Sequence, residues 1–111
     1  METLVKGDVV VATFPFSDLA SSKKRPALVL ASFPKNRVIL CQITSQQSDD
    51  AMAVALHSDD FKTGNLRTNS FARPRYVFTA DESLIAYRAG VLKTEKLQEV
   101  VDKLVAILKT E

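Results

Sequence analysis

The stretch KKRPALVLASFPKNRVILCQITSQ, residues 23–46, reads as two strands and the turn between them. Residues 26–32 and 37–44 are short apolar runs rich in Val, Leu and Ile, bounded by turn formers, which is the pattern of β-strands. Phe-Pro-Lys-Asn at 33–36 interrupts them with residues that favour turns. Pro26 fits the first residue of its strand, where no ladder donor is needed, and it pushes Arg25 toward extended backbone. Pairing through so short a turn brings the far ends of the strands together. Arg25 opens one strand and Thr44 closes the other, so a guanidinium and a hydroxyl share one rim. An arginine at a stiff strand end can grip a phosphate through two parallel hydrogen bonds. An incidental polar cluster at a strand end would have the same composition.

Outward from this hairpin, GDVVVATF (7–14) is a β-branched run and reads as a strand. PFSDLASSKK (15–24) has no periodicity and reads as a loop. SQQSDD is a second loop, AMAVAL (51–56) a strand, and HSDDFKTGNLRT (57–68) a loop with room for one helical turn and a bend at Gly64. NSFARPRYVFT (69–79) is extended, with Pro74 marking an edge or a bulge. ADESLIAYR (80–88) has the composition of a short helix capped by Asp81 or Ser83, and AGVL (89–92) that of a brief strand. In TEKLQEVVDKLVAILK, Leu97, Val100, Val101, Leu104, Val105 and Leu108 recur at helical spacing. Thr94 is the natural N-cap, and Glu95 suits the positive helix start. The stripe is read as core contact, part of which could serve a dimer interface. The sum is a mainly β, α+β chain: a small, curled, largely antiparallel sheet or barrel with a terminal helix against it.

The 111 residues, 46% hydrophobic and 25% charged with 3 Gly and 4 Pro, describe one ordinary globular domain spanning 1–111. No apolar run approaches the roughly 18 residues of a membrane span, and METLVKGD lacks a signal-peptide layout. The lone Cys41 cannot form an internal disulfide and reads as a small core residue in a reducing cytoplasm. The net charge is only +2, but it is unevenly placed. Residues 23–44 carry Lys23, Lys24, Arg25, Lys35 and Arg37 and no acid. Residues 45–66 carry four aspartates against one lysine, and residues 67–77 carry three arginines and no acid. Two cationic segments around an acidic one point to a polyanionic partner, although scattered surface charge would look similar.

Other candidates are weaker. His57 is a candidate general base by residue type but lies in turn composition, where a solvated side chain is expected. The pairs Asp49–Asp50 and Asp59–Asp60 could hold a hard cation, yet turns use Asp for local hydrogen bonds more often. One Cys and one His are too few for a soft-ligand zinc site. The sequence has no phosphate-binding glycine loop, nucleophile elbow or dinucleotide fingerprint.

Taken together, GDVVVATFPFSD, KKRPALVLAS, VILCQITSQ, SFARPRYVFTADESLI and a closing amphipathic helix resemble the PemK/MazF family, in the family's order over residues 5–108. The resemblance implies a small SH3-like barrel of antiparallel strands with a C-terminal amphipathic helix, usually a homodimer. It implies the toxin of a type II toxin–antitoxin pair, a growth inhibitor acting as an mRNA interferase. Such an endoribonuclease cleaves single-stranded RNA without a metal or cofactor, and an antitoxin laying an acidic segment over the RNA site holds it in check. In such cleavage the neighbouring 2′-OH attacks the phosphodiester and leaves a 2′,3′-cyclic phosphate and a 5′-OH. Arg25 matches the family's catalytic arginine, stabilising charge in the transition state. Thr44 matches its threonine at the strand end, holding the phosphate. Lys23, Lys24, Ser45 and Gln46 would line the RNA path. Some family members carry an acid or histidine where this chain has Arg75, so Arg73 and Arg75 are expected to hold RNA and the proton-transfer groups are left unassigned. Two rivals stand beside this reading: a non-cleaving nucleic-acid-binding barrel, and a poison of a protein target such as a topoisomerase.

Overall fold

The computed structural model describes residues 3–14, 23–47 and 49–110. Seven strands form one sheet: β1 (Asp8–Phe14), β2 (Lys23–Phe33), β3 (Arg37–Thr44), β4 (Val54–Leu56), β5 (Phe61–Gly64), β6 (Ser70–Asp81) and β7 (Ile85–Leu92). Their order is β4-β6-β3-β2-β1-β7-β5, and every pairing is antiparallel. The sheet curls into a half-barrel, and one helix, α1 (Thr94–Lys109), packs on β6.

The central hairpin forms as expected. Leu28 pairs with Cys41 and Val29 with Leu40, and the chain reverses through Lys35 and Asn36, whose φ values of 68° and 58° follow a type I′ pattern. Side chains alternate across the sheet, so the two faces build two apolar clusters. One contains Val10, Ala27, Val29, Val38 and Leu40, with Leu4 and Ile85. The other contains Val9, Leu28, Cys41, Ile43, Val54, Leu56, Phe61 and Ala72, and Val100 of α1 closes it. Cys41 is fully buried, and that burial pushes its thiol up to about 12, so it stays protonated and inert.

The Gly7-Asp8 start has a physical cause. Gly7 takes a φ of +98°, a conformation that side chains disfavour. There its amide donates to Val29 and its carbonyl accepts from Leu92, tying β2 to β7. Asp8, 1% exposed, accepts the Val5 amide at 3.0 Å and lies 3.8 Å from Arg88 Nε.

Four expectations need correction. β2 begins at Lys23, so Pro26 sits inside the strand, opposite Val11. It is tolerated because the β3 ladder starts only at Ala27–Gln42, leaving β2 with one partner there. Residues 15–22 of the expected loop lie outside the described residues, while Lys23 and Lys24 are strand. The segment read as a short helix is a 3-10 turn over Glu82–Leu84, capped by Asp81 accepting the Ser83 amide at 2.9 Å, and the chain then enters the full strand β7. The cap forms, but tertiary pairing with β1 holds β7 extended. Residues 58–64 hold a 3-10 turn and the strand β5; Gly64, with φ +69°, lies so close to the Ala89 carbonyl that a side chain there would collide with it. Finally, Thr94 is the first helical residue; Lys93 is the N-cap and makes no side-chain capping bond. Pro74 does mark a bulge. Cys41 pairs with Val77 and Gln42 with Arg73, so residues 74–76 leave the ladder. Only the first half of the helical stripe is covered: Val100 is buried, whereas Val105 is 40% and Leu108 74% exposed.

Candidate functional site

At the open end of the hairpin lies a groove of about 700 Å³. Arg25 and Thr44 both line it, with Lys24, Ser45 and Gln46. The β2–β3 register explains the convergence. The β2–β3 ladder ends at Ala27–Gln42, so Arg25 and Thr44 each lie two residues beyond it at the open end of the hairpin. Residues two apart on a strand point to one face, so Arg25 and Thr44 leave from the face of the paired Ala27 and Gln42. Arg25 is exposed and makes no hydrogen bond or ion pair among the described residues. Thr44 Oγ1 accepts the Gln46 amide at 3.1 Å, which fixes the hydroxyl oxygen and leaves its proton free to be donated outward.

The far wall of the groove was not anticipated. Asn65, Arg67 and Thr68 come from the β5–β6 connection, Ser70 from the start of β6, and Tyr87 and Arg88 from β7. Arg67 had a signal, as the first arginine of the second cationic segment. Tyr87 and Arg88 had none, because their strand read as helix. With Lys24, Arg25, Arg67 and Arg88 present, and no acidic side chain or histidine lining the groove among the described residues, its charge is one-sided. Lys23 heads β2 opposite Phe14 but does not line the groove.

Arg73 and Arg75 fall elsewhere. Arg73 donates to Gln42 Oε1 at 3.1 Å and stacks 3.7 Å from the centre of the Tyr76 ring, and its buried Nε finds no partner among the described residues. It lines a second hollow with Thr44, Gln46, Gln47 and Asp49. Arg75 lines a third, with Gln42, Tyr76, Val77 and Phe78, and donates to Asp50 at 3.0 Å. The Asp50 carboxyl is held below the usual carboxylate range, first by the Met52 amide that donates to it at 2.9 Å and then by Arg75. Neither arginine lines the Arg25 groove. Thr44 and Gln46 line both the groove and the second hollow, so the end of β3 is a ridge between them.

Asp50 and Asp60 act as turn residues. Asp60 accepts the His57 amide at 2.8 Å, and His57 itself is exposed. No group of three metal-ligating side chains forms among the described residues, and none of the described helices is long and apolar enough to cross a membrane.

The model of the PemK-like, MazF-like toxin of type II toxin–antitoxin systems matches residues 5–108. The chain belongs to this family. No curated protein matches the sequence. Among solved structures, a MazE–MazF complex from Deinococcus radiodurans aligns with a TM-score of 0.76 at 19% identity, covering 100% of both chains. The toxin MazF-mt6 of Mycobacterium tuberculosis aligns at 0.73 and 15% identity over 94% of this chain and 98% of that one. An endoribonuclease bound to its cognate antitoxin, from a mycobacterial species, aligns at 0.72 and 14% identity over 100% and 98%. At such identities the likeness is one of fold, and it places this chain's half-barrel with MazF-like toxins.

Proposed function

We propose that the protein is a metal-independent endoribonuclease that cuts single-stranded RNA by attack of a 2′-OH on the adjacent phosphodiester. The observation that carries this reading is that Arg25 and Thr44 line one cationic groove. Arg25, with no internal partner among the described residues, presents its donors to a phosphate whose charge grows in the transition state. A donor of this kind is worth about 3–4 kcal/mol. The Thr44 hydroxyl donates to a second phosphate oxygen and orients the attack. Lys24 and Arg67 hold flanking phosphates. Family membership supports the role of toxin, restrained by an antitoxin whose acidic segment would compete for the same cations. The exposed Val105 and Leu108 at the end of α1 support self-association of two copies.

A second reading has its own support. Among the described residues the groove contains no carboxylate or imidazole to take the 2′-OH proton. A barrel that grips RNA without cutting it would look the same. Incubation of the protein with single-stranded RNA in EDTA separates the two. Cleavage to cyclic-phosphate ends that disappears in Arg25→Ala supports the nuclease. RNA retained at low salt and recovered intact supports the binder, and cleavage unchanged in Arg25→Ala overturns the role of Arg25.

A further inference from the structure

Tyr87 is the groove residue that phosphate chemistry leaves unused. It is 54% exposed, and neither its ring nor its hydroxyl has a partner among the described residues. Its placement is set by pairing: Tyr87 lies opposite Val11, and Val11 opposite Pro26. Tyr87, Val11 and Pro26 therefore form one row across β7, β1 and β2, and all three line the groove together with Ile43. Opposed residues share a face, so the row is an apolar floor ending in an aromatic ring. Lys24 and Arg67 line the groove with it, both exposed, while Arg25, next to Pro26 on the strand, leaves from the other face at the strand end and lines the same groove. The next residue, Arg88, lies 3.8 Å from the buried Asp8, which anchors β7 beside the ring.

A bare aromatic surface bordered by cations is the arrangement that binds single-stranded nucleic acid. The backbone follows the charge, and unpaired bases stack on the ring. We infer that Tyr87 is the stacking platform for an unpaired base of the bound RNA, in the groove that Arg25 and Thr44 also line. The inference rests on the RNA-binding part of the proposed function and adds a base-recognition subsite to it. Two strand spacings of about 4.8 Å each separate β7 from β2, so the stacked base belongs to a neighbouring nucleotide of the same strand. A duplex keeps its bases paired and offers none to the ring, so this subsite selects single strands.

The test uses fluorescein-labelled ten-residue 2′-O-methyl oligonucleotides of U, C and A, which lack the attacking hydroxyl, beside an abasic ten-residue phosphate backbone. Binding is read by anisotropy at low salt. Tyr87→Ala is expected to weaken binding of at least one base-bearing oligonucleotide about tenfold, to leave abasic binding unchanged, and to be rescued by Tyr87→Phe. Equal binding of all oligonucleotides by wild type and Tyr87→Ala overturns the inference. So does an equal loss on the abasic strand, which would mark a general loss of structure or charge, and so does failure of the wild type to bind any of them. Cleavage is scored separately on all-ribose RNA in EDTA. Tyr87-dependent binding without cleavage defeats the nuclease and keeps the platform; cleavage without Tyr87-dependent binding does the reverse.

Discussion

The arginine at the open end of the β2–β3 hairpin and the two at the β6 bulge, Arg73 at its edge and Arg75 within it, differ in what they touch. Arg25 has no bond among the described residues, whereas Arg73 is held by Gln42 and Tyr76, and Arg75 by Asp50. Both regions are cationic in the sequence. Only the first leaves an arginine open to a ligand; in the second the positive charge fixes the protein's own loops. Positive charge in a sequence therefore does not identify a binding site until the internal partners of each cation are known.

The largest expected effect breaks this comparison at Arg25. Arg25→Ala should lower RNA cleavage by about 10²–10³ and leave the melting temperature unchanged, measured side by side by gel assay and calorimetry. A marked loss of stability would make Arg25 structural and equate the two regions. Next comes the salt dependence of binding to a 2′-O-methyl strand. Removing a phosphate contact from a single strand flattens the slope of log affinity against log salt by about 0.7, so Arg67→Ala should flatten it and Arg75→Ala should not. Arg73→Ala should instead cost about 1–2 kcal/mol of stability, from one hydrogen bond and one cation–π contact, seen as a lower urea midpoint. The smallest effect concerns Arg75 and Asp50. Because the Asp50 carboxyl is depressed in the fold, its contribution is fully present above the unfolded carboxylate value of about 3.9 and is lost as pH falls through the lower native value. Arg75 is half exposed, so Arg75→Ala should shift the melting temperature only slightly at pH 7. That difference should begin to fade as pH falls below about 3.9 and vanish below the lower native value, as followed by thermal melts.

The hairpin was legible because its strands are long apolar runs joined by turn residues, and pairing follows from so short a turn. The convergence of Arg25 and Thr44 at one end came with it. β7 was not legible, because Asp81 and Ser83 announce a helical turn truthfully and nothing local says that it stops at Leu84. Tyr87 was lost with that strand. β5 was hidden because it is four residues long and only Phe61 is buried. The partners of Arg73 and Arg75 lie 31 and 25 residues away along the chain, beyond the reach of any local pattern. In α1 the periodicity gave the helix but not how much of its stripe the sheet covers.

The excursion of residues 74–76 from the β3–β6 ladder has a consequence for how such a chain can vary. The pairing is intact on both sides of it, so a residue gained or lost there need not shift the register of either half. Length and charge can drift at this spot while the cleft on the far side of β3 keeps its shape. Divergence among related chains is expected to gather there, leaving the hairpin mouth as the part that natural variation can least afford to move.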